Sequence, residues 1–397
     1  MENILNLINE VKSFETIKEE VDFFKMIYEV FSLYDWLSSD YVFTIGNHIA
    51  QHRPDLVTLG IRLNVQINLF LHTIKTYSKN YKQIFETIGH NLGCFALTEN
   101  IAGVISGLIV DCQFQKNENV YELNTNDIYK NWISQGIVAD NMIIFASNIE
   151  NNKDIRIFLC SMNTENISRE SLKLEPFTNT LDLAKIELKN VKIPASNILE
   201  LSINQSKMEI LNGILYGRFM ITEAVIHSIL GLVLFLKDNI KGIEKFQFLE
   251  YDKYLSNLED NLIEYIEYLK SIRYDILSTK NVFLINCHKI FVVETCIKIF
   301  NELNLKFGVR ALLYGLKYET LLLNKVAEGD TSILRLSLIN YHIKKGLWHI
   351  ISNEGLTYYE ILNMSLVSDL NKKKYIINNL QIISDKIIKD NIYIGLF

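Results

Sequence analysis

Residues 130–140, with the sequence KNWISQGIVAD, lie in the one part of the chain that reads as strand after strand. This part covers residues 93–199, where short β-branched and aromatic runs such as 142–146 are separated by Asn-rich turn signals. Trp132 and Ser134 stand two positions apart, which lets a flat ring and a hydroxyl face one planar ligand. A buried strand Trp beside a solvent-facing Ser is the alternative interpretation of this spacing.

Helical periodicity fills the rest of the chain. Residues 1–92 carry apolar stripes at helical spacing, for example at Val21 and Phe24, and residues 201–397 contain no proline. We therefore predict a mainly α protein with a small β-domain. An N-terminal helical domain covers residues 1–92, a central β-barrel or β-sandwich domain covers 93–200, and a C-terminal helical bundle with an extended tail covers 201–397.

Charge and cysteine usage argue against several classes of protein. The 397 residues carry a net charge of -6 and lack the clustered Lys and Arg that neutralise phosphates, which argues against a nucleic-acid binder. The five cysteines are odd in number and have no metal-ligand spacing, so we predict reduced thiols in an intracellular protein. The N-terminus has neither a signal-peptide core nor a transit-peptide composition, which predicts a cytoplasmic location.

The most apolar window of the chain, residues 219–236, is interrupted by Glu223 and His227. A membrane span needs about 18 to 20 uninterrupted apolar residues. We therefore predict a buried bundle helix here and no membrane span. His48 and His52 share one helix face without a carboxylate at ligand spacing, so no metal site is predicted.

Three segments of the β-rich part together resemble the acyl-CoA dehydrogenase and acyl-CoA oxidase family of flavoproteins. Residues 93–103, GCFALTENIAG, are similar to the family segment G-C-F-x-L-T-E, and residues 130–140 are similar to K-x-W-I-[ST]-[NQ]-G-x-x-A-D. Residues 191–199, VKIPASNIL, are similar to the closing x-I-P-x-x-N-[IL]-L. The resemblance implies a divergent member of this family, with the helix, β-domain and helix-bundle architecture that periodicity predicts independently.

This resemblance implies FAD as the cofactor. Removing two hydrogens from the α and β carbons of a thioester needs a carboxylate for the α proton and an acceptor for the β hydride, and no side chain accepts hydride. In the family, the L-T-E and W-I-[ST] segments lie against the isoalloxazine ring. The matching candidates for cofactor binding are Leu97, Thr98, Trp132 and Ser134.

Residues 326–335, VAEGDTSILR, resemble the family segment Y-E-G-T-x-x-I-x-R, whose Glu removes the α proton in most members. Glu328 is therefore the candidate catalytic base. Some relatives carry the base before an Arg on the first bundle helix, but the matching position is Gly217, which supports Glu328. Arg218 matches the family Arg beside the base, where its charge favours the carboxylate form.

Both assignments have a structural alternative. A Glu before a Gly at a helix start is an ordinary capping arrangement, so Glu328 could serve only the helix. Arg218 could instead form an ion pair with Glu223 or Glu209.

Several positions depart from the family pattern. The aromatic residue before the base is Ala327, and the Arg that reaches the FAD diphosphate is replaced by a region that offers Lys241 or Lys245. Of the Gly-rich segment that lines the diphosphate only Gly308 is left, and Val104-Ile105 stand where the family places a Ser on the acyl-thioester arm. Cofactor affinity and substrate are therefore open.

Three functions follow. The first is an FAD-dependent dehydrogenase or oxidase that acts on an acyl thioester carried by CoA or by an acyl carrier protein. The second is a degenerate, flavin-free homologue that serves as a binding or scaffold subunit, and the third is a flavin-dependent monooxygenase on the same fold. The family implies a homodimer or homotetramer, and the tail, with Trp348 and Tyr358, suggests a further packing surface or oligomer contact.

Overall fold

The N-terminal helices form where apolar residues recur every three or four positions, so that each helix buries one face. The computed structural model describes residues 1–38, 40–99, 110–126, 128–173, 180–199, 214–240, 245–280, 282–327, 331 and 334. Its first helices are α1 (Glu2–Glu10), α2 (Ile17–Tyr28), α3 (Leu33–Ser38), α4 (Tyr41–His52), α5 (Val57–Leu63), α6 (His72–Tyr77) and α7 (Tyr81–Ile88). A π-helix, Asn64–Leu71, joins α5 to α6 and is buried along its whole length.

The central part folds into two sheets that enclose an apolar core. The strands are β1 (Gly93–Ala96), β2 (Gln113–Asn117), β3 (Val120–Asn124), β4 (Lys130–Ser134), β5 (Asn141–Asn148), β6 (Ile155–Ser161), β7 (Ile167–Ser171), β8 (Leu183–Leu188), β9 (Val191–Pro194) and β10 (Ile198–Leu199). The larger sheet has the order β10-β6-β5-β2-β3-β9, with β1 beside β5, and the smaller has the order β4-β8-β7. At its centre β5 and β6 are antiparallel, with buried Phe145 opposite Ile157.

The C-terminal part is a bundle of long helices. They are α8 (Leu215–Asn239), α9 (Lys245–Thr279), α10 (Val282–Phe307), α11 (Val309–Leu312) and α12 (Tyr318–Val326). Helix α8 packs against α4, α9 and α10 and so occupies the centre of the bundle. By length and composition α8 could cross a membrane, but 83% of its most apolar window is buried inside the protein. This burial agrees with the predicted core helix, and the whole arrangement confirms the predicted fold class.

A buried ion pair joins the N-terminal helices to the bundle. Glu223 on α8 accepts hydrogen bonds from Arg273 Nε at 2.9 Å, Arg273 Nη2 at 2.8 Å and Asn47 Nδ2 at 2.8 Å. The Arg273 guanidinium also lies over the Phe43 ring, 4.3 Å from its centroid. Glu223 therefore pairs with Arg273, which answers the alternative in which it would pair with Arg218.

A polar network joins the N-terminal helices to the β-domain. Arg62 on α5 donates from Nε to Glu20 Oε1 at 3.1 Å and from Nη1 to Gln135 Oε1 at 3.3 Å. Gln135 in turn donates to the carbonyl of Gly93 at 3.0 Å, and the Gly93 amide donates to Gln66 Oε1 at 2.8 Å. Burial raises the pKa of Glu20 despite the lowering influence of Arg62. These buried bonds fix the β-domain against the helices.

Close helix packing at Gly231 gives a prediction for stability. A Cβ at this position of α8 would overlap both the Gln51 carbonyl oxygen and the Tyr314 hydroxyl, which donates to that oxygen. We expect Gly231→Ala to lower the free energy of unfolding by about 1 to 3 kcal/mol in urea denaturation, because backbone has to move. The control is Gly60→Ala, whose Cβ would lie 3.8 Å from Ile49 Cγ2 in ordinary contact. Equal stability of the two variants would contradict the prediction.

Candidate functional site

The Trp of the decisive segment is presented on an irregular strand. Strand β4 pairs with β8 through Lys130 opposite Ile186 and Ile133 opposite Ala184, and its register shifts between these two pairs. Trp132 lies in the shifted part with φ 60°, a left-handed conformation that bulky residues rarely adopt. Its side chain is 48% exposed. The strand therefore turns a large aromatic ring outward, which rules out the interpretation as a buried strand Trp.

Ser134 faces a cavity at which the three parts of the chain meet. The cavity has a volume of about 100 Å³. Its walls come from N-terminal helices, from the β-domain and from the bundle, and they include Ile49, Ile61, Ser134, Leu183, Met220 and Ala327. Most of the lining is aliphatic. The arrangement provides a partly open, mostly apolar cavity with Ser134 on its β-domain wall.

The L-T-E segment lies beside this strand. The carbonyl of Thr98 accepts a hydrogen bond from the amide of Asn131 at 2.9 Å, so the two family-like segments are neighbours in space. Thr98 is partly buried, whereas the Leu97 side chain is buried in the core. The structure thus brings Thr98, Trp132 and Ser134 into one region of the β-domain.

Two buried cations lie in the helical bundle, and one of them contacts a residue that lines the cavity. Arg218 is 1% exposed and donates from Nη1 to Asn286 Oδ1 at 2.8 Å. Lys289 is fully buried and donates from Nζ to the carbonyl of Ala327, which lines the cavity. Glu328 follows Ala327 directly in the sequence but lies outside the described residues. Buried cations of this kind favour ionised carboxylates nearby.

The residues near Trp132 fit the ring of a flavin. An isoalloxazine has a flat aromatic face and an edge that carries both hydrogen-bond donors and acceptors. Trp132 offers an exposed ring face, and Thr98 and Ser134 carry hydroxyls that can donate or accept. Asn131 Oδ1 is a buried acceptor that has no hydrogen-bond partner within the described part of the chain. The donor set therefore suits a planar ligand with polar edges.

Fewer of the described residues suit the diphosphate end of such a cofactor. Gly308 ends α10 with φ 56°, and a Cβ there would meet open space, so its backbone angle rather than a close approach calls for glycine. The side chain of Lys245 is not described. The other candidate positions lie outside the described residues: Lys241, Val104-Ile105 and the tail residues Trp348 and Tyr358.

Sequence patterns missed two components of this site. The first is the N-terminal wall of the cavity, to which α4 and α5 contribute Ile49 and Ile61. These residues belong to ordinary apolar stripes, which do not distinguish a cavity wall from the core. The second is the buried Lys289, whose position in an apolar helix was the available signal, because a Lys on such a face needs a partner.

No protein-family model matches this sequence. Solved structures do match it. Butyryl-CoA dehydrogenase from Megasphaera elsdenii is 16% identical with a TM-score of 0.68, over 86% of this chain and 97% of that one. The prolyl acyl carrier protein oxidase AnaB matches with the same values. A glutaryl-CoA dehydrogenase from Mycobacterium smegmatis, solved with FADH2, is 17% identical with a TM-score of 0.61, over 83% of this chain and 94% of that one. The chain therefore has the acyl-CoA dehydrogenase fold.

Proposed function

We propose that this protein is an FAD-dependent oxidoreductase that removes two hydrogens from an acyl thioester. One observation carries the proposal: Ser134 and Ala327 line the same cavity. The first belongs to the segment that resembles the flavin-binding strand of the family, and the second directly precedes the candidate base in the sequence. A cofactor ring and a base on opposite sides of a bound acyl group are what this reaction requires.

In this proposal Glu328 removes the α proton of the substrate. Lys289 donates to the carbonyl of the preceding residue, Ala327, and its positive charge would keep the Glu328 carboxylate ionised and ready to accept a proton. We assign the same role to the buried Arg218 on α8, which matches the family Arg beside the base. Thr98, Trp132 and Ser134 would bind and orient the isoalloxazine ring. A bound flavin supplies the acceptor for the β hydride, which no side chain provides. The mostly aliphatic cavity wall would limit the access of water to the acyl group.

The size of the cavity limits the substrate. A volume of about 100 Å³ lined by aliphatic side chains suits a short acyl group better than a long chain. The carrier is either CoA or an acyl carrier protein. The similarity to an oxidase that acts on a prolyl acyl carrier protein supports the second carrier. The five cysteines are buried free thiols, which supports a reducing, cytoplasmic location.

The visible absorption spectrum of the purified protein, with and without added FAD, tests this function. We expect flavin bands that persist through gel filtration and that bleach anaerobically when a short acyl-CoA or acyl carrier protein substrate is added. A colourless protein that does not retain FAD would contradict the proposal and favour the flavin-free scaffold function. Bound flavin that no acyl thioester reduces would favour the monooxygenase function.

An exposed apolar patch supports the proposed homodimer or homotetramer. The patch consists of Leu305, Val309, Leu312 and Leu313, whose exposures are 76%, 72%, 61% and 70%. Contiguous exposed apolar residues usually mark an interaction surface. We expect Leu312→Glu to shift the protein to a smaller species in gel filtration with light scattering, because the charge would be buried in a subunit contact.

Tyr274→Glu is the matched control, because Tyr274 is an 82% exposed residue on α9 outside the patch. This variant should keep the wild-type oligomer. A Leu312→Glu protein that elutes like wild type would exclude the patch as a subunit contact.

A further inference from the structure

A buried ion pair lies directly behind the Trp132 segment. Lys130 is fully buried and donates from Nζ to Glu99 Oε1 at 2.6 Å and to the carbonyl of Phe145 at 2.7 Å. Glu99 is 3% exposed and also accepts from the amides of Asp111 at 2.7 Å and Cys112 at 3.0 Å. Every bond described for the pair is charge-assisted, and such bonds are stronger than bonds between neutral groups.

This pair joins the two family-like segments. Glu99 follows Thr98, and Lys130 precedes the shifted part of β4 that holds Trp132. The backbones of Glu99 and Lys130 form an isolated antiparallel bridge, next to the bond from the Asn131 amide to the Thr98 carbonyl. The ion pair therefore fixes the distance between Thr98 and the strand that presents Trp132.

Trp132 needs such support because of its backbone conformation. A left-handed angle at a bulky residue persists only where the surrounding structure over-determines it. On the C-terminal side, Ile133 and Ser134 pair with β8. On the N-terminal side, Lys130 is held both by its pairing with Ile186 and by its bonds to Glu99 and Phe145. The irregular stretch is thus clamped at both ends.

We propose that Glu99 and Lys130 are positioning residues that hold Thr98 and Trp132 in the geometry that binds the flavin ring. This inference rests on the proposed function, because it concerns the same cofactor. A purely structural ion pair would stabilise the β-domain without any specific effect on the ring site. A positioning pair has to affect Trp132 and flavin affinity beyond its effect on stability.

Two variants separate these possibilities: Lys130→Met and the double variant Glu99→Gln/Lys130→Met. Removing one partner of a buried pair leaves an uncompensated charge, whereas replacing both with neutral groups is often tolerated. We expect Lys130→Met to lower the thermal midpoint and to raise the Kd for FAD at least about tenfold. The double variant should regain part of the thermal midpoint, because no uncompensated charge remains, but not the affinity, because a methionine side chain cannot donate a hydrogen bond to position 99 or to the Phe145 carbonyl.

The second readout is independent of flavin. The near-UV circular dichroism of Trp132 is obtained in flavin-free protein as the difference between each protein and its Trp132→Phe derivative. We expect this signal to be lost in both Lys130→Met and the double variant. The control is the double variant Glu223→Gln/Arg273→Met, which removes a second buried pair, in the bundle, and should change neither the Kd for FAD nor the Trp132 signal more than about twofold.

The inference would be overturned if the double variant recovered FAD affinity and the Trp132 signal together with stability. Wild-type FAD affinity in Lys130→Met would also overturn it. If the wild-type protein does not bind FAD, the proposed function fails. The positioning role is then decided by the circular dichroism of Trp132 alone, and an unchanged signal in Lys130→Met would exclude it.

Discussion

Replacement of Glu328 by Gln is expected to lower the rate of flavin reduction by an acyl thioester by roughly 100- to 10,000-fold, the usual contribution of a positioned general base. Gln has nearly the same shape as Glu but cannot accept the α proton. Binding of FAD should not change, because the residues assigned to the ring belong to the β-domain, at Thr98, Trp132 and Ser134. Anaerobic stopped-flow measurement of flavin bleaching after mixing with substrate gives the rate directly.

Glu319→Gln provides the matched control for this experiment. Glu319 lies in the first turn of α12, on the same helical segment that leads to Ala327, but it does not line the cavity. The control should reduce flavin at the wild-type rate. If Glu328→Gln retains full turnover, Glu328 is not the base. That result would favour either a helix-capping role for Glu328 or monooxygenase chemistry, which needs no α-proton base.

Loss of Arg273 is expected to produce the largest effect on stability. Arg273→Met would leave the Glu223 carboxylate, which is 1% exposed, without its cationic partner. Breaking a buried pair on one side typically costs about 3 to 5 kcal/mol. Asn47 would still donate one hydrogen bond, but a neutral amide does not balance a charge. Urea denaturation at neutral pH measures the loss.

The loss should depend on pH. Burial raises the pKa of Glu223 above its ordinary value of 4.5, while Arg273 lowers it, so removing Arg273 raises the pKa further. A carboxyl whose folded pKa exceeds its unfolded pKa favours folding when protonated. The loss of stability of Arg273→Met relative to wild type is therefore greatest above the pKa of Glu223 in the folded variant. It shrinks as the pH falls toward 4.5.

Glu223→Gln/Arg273→Met is the control for this explanation. It removes both charges, so most of the lost stability should return and the pH dependence of the deficit should disappear. A deficit in Arg273→Met that is the same at pH 7 and near pH 5, or a double variant no more stable than the single, would show that the cause is another contact of Arg273, either its packing on Phe43 or its ion pair with Asp40.

For the predicted site residues, the structure adds the local geometry and the partners that the sequence does not give. The family resemblance indicates Trp132 and Ser134, and the structure adds the reason for the outward ring, a register shift in β4 with φ 60° at Trp132. No local pattern indicates such a shift. For Arg218, the structure supplies Asn286 on α10 as a partner, whereas the candidate acid Glu223 is bound by Arg273. Which residue meets which cation depends on helix packing.

The sequence by itself determined the order of helical, β-rich and helical parts, because helical and strand periodicities are local properties of the chain. It also indicated the segment at residues 130–140 as a candidate site, through its resemblance to a family motif. Only the tertiary structure decided that Ser134 and Ala327 line one cavity and that Lys130 pairs with Glu99 behind Trp132. Contacts of this kind join residues far apart in the chain, and they are selected by packing and by the need to pair every buried charge.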